Sequence, residues 1–305
     1  MVQSVILTGP TAVGKSSLAI EVAEELGLEI INADSVCFYR HFNIGSAKPD
    51  SQELDRVPHH LIDVADPEET YHAGRFIRDC LQKIEEIQAR KKRALIVGGS
   101  GFYLKALRYG LWEAPPTSPE FRKAAESRSS DELFEALLLA DPDQARKIAK
   151  ADRYRLIRAL EIIETSGKKP SELEASIEKK PNPDFPLWVV DRQKEELQAR
   201  IHDRIQAMLR AGLIEETQKL REQYPTSKVL LSVGYAQVLD FLDGLKPAGR
   251  KMAAGEAGLS DEIELAHRQL VKQQRTWFKN LIPDAQFVLD QQKLELKEKL
   301  MQVYQ

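Results

Sequence analysis

The string Gly9-Pro10-Thr11-Ala12-Val13-Gly14-Lys15-Ser16 has the spacing GxxxxGK[ST]. Such a stretch wraps successive backbone N–H groups around a phosphate, and a helix opening at its end adds partial positive charge. In that arrangement Lys15 brings a point charge to phosphate oxygens, and the Ser16 hydroxyl can ligate Mg2+. The plain alternative is a glycine turn that happens to contain Lys-Ser. Context separates the two, because a true phosphate loop follows a strand and opens a helix. Both conditions are met. Val2 to Leu7 is a short apolar run, and beyond Ser16 the residues Leu18, Ala19, Val22, Ala23 and Leu26 share a helical face that Gly27 ends. The chain is expected to bind a diphosphate or triphosphate.

A second chemical group stands apart from the loop. Hydrolytic phosphate-loop enzymes usually end another strand with a magnesium-holding Asp. Here the run Ala94 to Val97 opens into Gly98-Gly99-Ser100-Gly101, and the acid is Asp34, after the run Leu28 to Ala33. At the carboxyl end of a strand in a doubly wound sheet, a carboxylate faces the ligand crevice. There it can hold magnesium through water or act as a general base. Capping of the following turn is the structural alternative.

The elements that must position these groups follow a strand, helix, strand, helix, strand rhythm. A helix is expected over Ala73 to Ala89, and a short strand over His60 to Val64. The fold class is α/β: a P-loop NTPase-like parallel sheet flanked by helices. Pro115-Pro116-Thr117-Ser118-Pro119 reads as a linker, and only helical patterns follow until about Ser166. Residues 116–185 are therefore expected to form a helical insertion domain, with 1–115 and 186–305 as two parts of one core. The last third is mostly helical, with a Gly-rich loop near Pro247 to Gly258 and a final strand at Gln286 to Leu289.

Composition sets limits. With 44 Lys and Arg against 47 Asp and Glu, the 305-residue chain carries a net charge of -3, not the excess of a strongly basic nucleic-acid binder. Its two cysteines, Cys37 and Cys80, exclude a disulfide framework and suit a reducing compartment. No signal peptide or long apolar run is present, so a cytoplasmic location and no membrane contact are expected.

Further ordered segments accompany the phosphate loop: Asn32-Ala-Asp-Ser35, Tyr39-Arg40, Ile44 to Pro49, Pro58 to Asp63, Gly98 to Tyr103, Arg155 to Glu161, Val233-Gly-Tyr235 and Thr276-Trp-Phe278. Together they resemble the tRNA dimethylallyltransferases over residues 5 to about 280. The resemblance implies transfer of a dimethylallyl group from dimethylallyl diphosphate to the exocyclic N6 amine of an adenosine just 3′ of the anticodon, with Mg2+ as cofactor. Residues 9–16 would then hold the diphosphate leaving group, and Ser16 the metal. Lys15, Asp34 and Ser100 would be catalytic, with Asp34 taking the amine proton or orienting the amine. The tRNA anticodon stem-loop would meet Asp34, Ser35, Val36, Cys37, Ser100, Arg122, Gly234 and Tyr235, and the element Tyr154-Arg155-Leu156-Ile157-Arg158. An unstacked loop adenine is cheap to extract, which suits such chemistry. The protein is expected to act as a monomer. Two positions depart from the family: Cys37 and Tyr154 each stand where a Gln is usual.

Charge is unevenly spread. Six basic residues crowd 146–158 beside the single acid Asp152. Arg268, Lys272, Arg275 and Lys279 are spaced to share one helical stripe, with no acid between 267 and 280. That stripe fits an RNA backbone, the alternative being a solvated face. An adenylate dimethylallyltransferase would need neither basic face. A P-loop small-molecule kinase would share the fold and bind ATP.

Overall fold

The computed structural model describes residues 4–112, 115–176, 180–245, 253–282, 286–289 and 293–304. Part of the expected Gly-rich loop, 247–252, lies outside them. The chain divides into two compact units, Met1–Arg108 with Asn182–Gln305, and Tyr109–Pro181. Residues 182–185 belong with the first unit although composition groups them with the insertion. Asn182 N–H donates to the Arg108 carbonyl at 2.7 Å, Ser4 N–H to that of Asp184 at 2.9 Å and Ile6 N–H to that of Pro186 at 2.8 Å.

The first unit begins with β1 (Val5–Thr8), α1 (Lys15–Leu26), β2 (Glu29–Asn32), α2 (Ser51–Arg56), β3 (His59–His60), α3 (Ala73–Ala89), β4 (Ala94–Gly98) and α4 (Gly101–Tyr109). The second unit contains α5 (Pro119–Glu126), α6 (Ser130–Ala140), α7 (Pro142–Ala145), α8 (Arg153–Ser166) and α9 (Pro170–Ala175). The chain then returns as β5 (Leu187–Asp191), α10 (Lys194–Arg210), α11 (Leu213–Gln223), a 3-10 turn at Lys228–Leu231, α12 (Tyr235–Leu242), α13 (Glu256–Leu281), β6 (Gln286–Leu289) and α14 (Lys293–Tyr304). Strand order is β3-β2-β4-β1-β5-β6, and every pairing is parallel.

Parallel strands covered on both faces are apolar throughout. Val5, Ile6 and Leu7 of β1 are completely buried, each contributing roughly 1.5–3 kcal/mol by leaving water. The second unit has its own core around Leu133, Leu137 and Leu156. The third strand is shorter than the expected His60 to Val64. Leu61 and Asp63 take left-handed φ values of 59° and 57°, which end the extended run after His60.

This topology sets the site. The carboxyl ends of β2, β4, β1 and β5 lie side by side, in register at Asn32 with Val97, Thr8 with Gly98 and Thr8 with Val189. The chain leaves them as the Asp34 turn, the Gly98–Ser100 loop, the phosphate loop and the Asp191-Arg192 corner.

Candidate active site

The phosphate loop is held by close backbone approach and by distant arginines. A Cβ on Gly9 would lie 2.2 Å from the Val190 carbonyl oxygen, so no side chain fits there. Gly14 has φ 94°, and a Cβ on it would also crowd the guanidinium groups of Arg200 and Arg192 at 3.2 and 3.3 Å. Arg200 Nε donates to the Ala12 carbonyl at 2.9 Å, and Arg192 Nε to that of Val13 at 3.1 Å. Ala12 itself takes φ 64°, an uncommon conformation for a residue with a Cβ. On the other side Gln274 of α13 bridges two loops. Its Oε1 accepts from Thr11 N–H at 2.9 Å, and its Nε2 donates to the Gly99 carbonyl at 3.1 Å.

Asp34 follows β2 at a turn that Asn32 organises. Asn32 Oδ1 accepts from Asp34 N–H at 3.0 Å, and its Nδ2 donates to the carbonyls of Asp34 and Leu61 at 3.2 and 3.0 Å. Asp34 Oδ1 accepts from Val36 N–H at 3.1 Å, so the turn-capping contact is made. Ser100 Oγ accepts from Ser35 N–H at 2.8 Å, joining the two loops. A Cβ on Gly98 would lie 2.2 Å from the Ala33 backbone, so glycine there lets the β4 end meet the β2 end.

These loops enclose a cavity of about 610 Å3 lined by Lys15, Asp34, Ser35, Val36, Ser100, Arg204 and His267, with an apolar part made by Phe102, Tyr103, Leu231, Leu270 and Trp277. A smaller cavity of about 70 Å3 shares Thr11, Lys15, Asp34, Ser46 and Arg204 and adds the Ser16 and Cys37 surfaces. Burial pulls the Lys15 ammonium below its usual range, and Asp34 pulls it partly back. Arg204 is lowered by burial in the same way, again opposed by Asp34, and its Nε has no hydrogen-bond partner. A guanidinium stays charged regardless. The site therefore holds two cations, a carboxylate and several hydroxyls around one space. Such a set can neutralise a departing polyanion and receive a proton.

His267 is buried, and its Nδ1 lies 2.9 Å from the Ile263 carbonyl. A carbonyl only accepts, so Nδ1 carries the proton. Burial, with Arg204 nearby, brings this imidazole down to about 4 despite that bond.

The family model described as IPP transferase matches residues 37–281. The chain belongs to the IPP transferase family. A tRNA dimethylallyltransferase 1 of Citrifermentans bemidjiense is 39% identical over 283 residues, covering 91% of this chain and 89% of that protein. The tRNA dimethylallyltransferase of Nitrosomonas europaea is 40% identical over 290 residues, covering 91% and 88%. A crystal structure described as a eukaryotic dimethylallyltransferase acting on tRNA matches with a TM-score of 0.80 and 29% identity, over 95% of this chain and 74% of that one.

Other expected site residues of this transferase are placed differently from one another. Cys37 is buried, and burial followed by the Asp34 charge pushes its thiol up to about 12. It lines the small cavity but not the large one. Tyr235 is completely buried, with its hydroxyl turned to Glu216, while Gly234 takes φ 99° before it. Neither is an exposed contact surface. On α13, Arg268, Lys272 and Lys279 are exposed. Arg275 is not part of that exposed stripe, because its guanidinium grips Asp191 at 2.7 to 3.1 Å and the Arg192 carbonyl at 2.7 Å.

In the second unit Leu156 is fully buried and Ile157 packs on the same core, so their side chains serve packing. Arg122 and Arg158 both hold Glu161, at 2.8 and 2.5 Å, and Arg122 lies 5.9 Å over the exposed Tyr154 ring. Arg155 is exposed but pairs with Asp152 at 3.2 Å.

Sequence reasoning did not single out Arg192, Arg200, Arg204, His267 or Gln274. Gln274 and Trp277 do carry a signal, since with His267 and Leu270 they recur at helical spacing on the cavity side of α13.

Proposed function

We propose that the large cavity transfers a dimethylallyl group from dimethylallyl diphosphate to the N6 amine of the adenosine 3′-adjacent to the anticodon of tRNA. The observation that carries this reading is the meeting of Lys15, Arg204, Asp34 and Ser100 around one partly apolar space. The diphosphate occupies the 9–16 loop, with N–H groups of residues 12–16 as donors, since Pro10 has none and Thr11 gives its own to Gln274. The dimethylallyl chain lies toward the apolar wall, and the flipped adenine enters beside Asp34 and Ser100.

In the transfer, the N6 lone pair attacks the allylic carbon as its bond to the diphosphate oxygen breaks. The bonding electrons go to the diphosphate, which Lys15, Arg204 and the loop N–H groups stabilise as its charge grows. N6 then loses a proton, which Asp34 receives or directs to water. No cluster of three His, Cys, Asp or Glu side chains forms a cation cage among the described residues. The exposed Ser16 hydroxyl would be this chain's ligand to a magnesium ion bound with the diphosphate. When bound, that ion supplies further charge neutralisation to the leaving group.

The exposed bases Arg268, Lys272 and Lys279 favour a polynucleotide acceptor over a free nucleotide. Among the described residues no helix is long and apolar enough to cross a membrane. We further propose action on tRNA in the cytoplasm, by a monomer. The test is incubation of the enzyme with unmodified tRNA, labelled dimethylallyl diphosphate and Mg2+, followed by nucleoside analysis. Label on adenosine is expected. Unlabelled tRNA, with thermal stabilisation by ATP and none by dimethylallyl diphosphate, would overturn the reading in favour of a kinase.

A further inference from the structure

Two sequence motifs with no part in the chemistry above, Ile44 to Pro49 and Val233 to Tyr235, meet at one side chain. Glu216, in the first turn of α11, accepts hydrogen bonds from three consecutive backbone N–H groups. Asn43 N–H lies 3.2 Å from Oε2, Ile44 N–H 2.9 and 3.0 Å from the two oxygens, and Gly45 N–H 3.2 Å from Oε1. Such a run of N–H groups makes a concavity that binds an anion, and here the chain's own carboxylate fills it. The Tyr235 hydroxyl donates to the same Oε1 at 2.6 Å. Burial, reinforced by Glu216, pushes the Tyr235 phenol upward, so it remains a donor at working pH. A Cβ on Gly45 would lie 2.5 Å from Tyr235 Cζ, so the loop passes directly against the ring.

The far end of this loop is tied as well. Lys48 Nζ donates to the Tyr39 carbonyl at 3.0 Å, to Asn43 Oδ1 at 2.9 Å and to Asp63 Oδ1 at 2.7 Å. Gly45, the last residue of the first tie, and Ser46 after it line the large cavity, and Ser46 also lines the small one beside Lys15. The braced segment thus stands where the two cavities join.

We propose that Glu216, acting with Tyr235, is a positioning residue that fixes the 43–46 loop at this junction and so sets how the adenine amine meets the allylic carbon. It touches neither substrate. This inference rests on the reading of the cavity as the transfer site. Misplacement of a reacting group by about 1 Å can cost on the order of 100-fold in rate, so the expected signature lies in the chemical step and not in substrate affinity.

The test compares wild type with Glu216→Gln, Glu216→Asp and Tyr235→Phe in single-turnover transfer, with enzyme in excess over tRNA and saturating labelled dimethylallyl diphosphate. As long as folded enzyme stays in excess over tRNA and above its Kd, the first-order rate constant is independent of the folded fraction. Glu216→Gln turns an amide NH2 toward the N–H donors. It is expected to lower the rate constant about 10- to 100-fold while tRNA affinity by gel shift stays within about twofold of wild type. Glu216→Asp is expected to recover part of the rate, and Tyr235→Phe to lose less. An unchanged rate constant for Glu216→Gln overturns the proposal, whether or not amplitude falls, and so does an equal loss of rate and tRNA affinity. Hydrogen exchange of the Asn43, Ile44 and Gly45 amides gives a readout that needs no activity. Protection in wild type that is lost in Glu216→Gln is expected, and unchanged protection overturns the brace. Wild-type enzyme that fails to label tRNA would instead overturn the assignment of the site, leaving the exchange result to judge the loop.

Discussion

Asp34 combines a turn contact with a place on the cavity wall. Its Oδ1 caps the turn through Val36 N–H at 3.1 Å, while the side chain lines both cavities beside Lys15 and Arg204. An ionised carboxylate offers about four acceptor sites, so the capping contact leaves capacity for a substrate amine. Asp34→Asn separates the two roles, because the amide oxygen keeps the turn bond but the group no longer accepts a proton. Single-turnover transfer is expected to fall about 10²- to 10⁴-fold, with tRNA affinity and melting temperature close to wild type. A near-normal rate in Asp34→Asn would leave Asp34 as an orienter only. Asp34→Ala should lose the rate and the turn contact together, visible as an added fall in melting temperature.

At the scale of elements, what was legible in the sequence follows from chain distance. The phosphate loop could be read because its eight residues are consecutive and its strand and helix adjoin it. Asp34 could be read because a strand end points it at the crevice. The groups that hold them could not. Arg200 reaches Ala12, Gln274 reaches Thr11 and Glu216 reaches Ile44, each from a remote helix. In sequence these are ordinary polar residues of amphipathic helices, and Glu216 is one acid in a stretch of mixed charge. The basic run at 146–158 is less bare than it reads for the same reason, since most of its acids come from elsewhere in the chain. Lys147 pairs with Glu174 and Lys150 with Glu135, while Arg158 and Arg122 converge on Glu161. Glu161 is fully buried, which alone would raise its pKa. The bonds from Arg122, Arg158 and the Ser118 N–H outweigh that and hold it at about 2. A depressed carboxylate contributes stability that is complete above its unfolded value and lost as pH falls through the folded value. The helices α5 and α8 should accordingly lose protection between about pH 4.5 and pH 2, an interval worth roughly 3 kcal/mol. Hydrogen exchange over 118–166 reads this directly. In Glu161→Gln the acid-dependent loss should vanish, from a starting stability lowered by about 3–5 kcal/mol because two guanidinium groups lose their partner. An unchanged acid profile would remove Glu161 as its source.

For the whole molecule, the balance of 44 positive against 47 negative residues conceals a difference in how charges are used. Much of the positive charge is internally paired, and paired cations displace few counterions when RNA arrives. Arg268, Lys272 and Lys279 of α13 are different. They are exposed and form no ion pair among the described residues, whereas Arg275 of the same helix is held by Asp191. For RNA, the logarithm of affinity falls with the logarithm of salt by roughly 0.7 for each phosphate neutralised, taking the single-strand value. Replacing Lys272 by Gln should therefore weaken tRNA binding at low salt and reduce that slope by about 0.7 to 1. Arg268→Gln and Lys279→Gln should behave alike. Arg275→Gln should leave the slope unchanged and instead lower thermal stability, since it strands the Asp191 carboxylate beside the phosphate loop. Fluorescence anisotropy with labelled tRNA across roughly 50 to 200 mM salt measures all four. Equal slopes in wild type and in the three exposed variants would place the RNA backbone elsewhere. A reduced slope in Arg275→Gln would mean that its pair with Asp191 opens when tRNA binds, making the end of β5 part of the RNA contact.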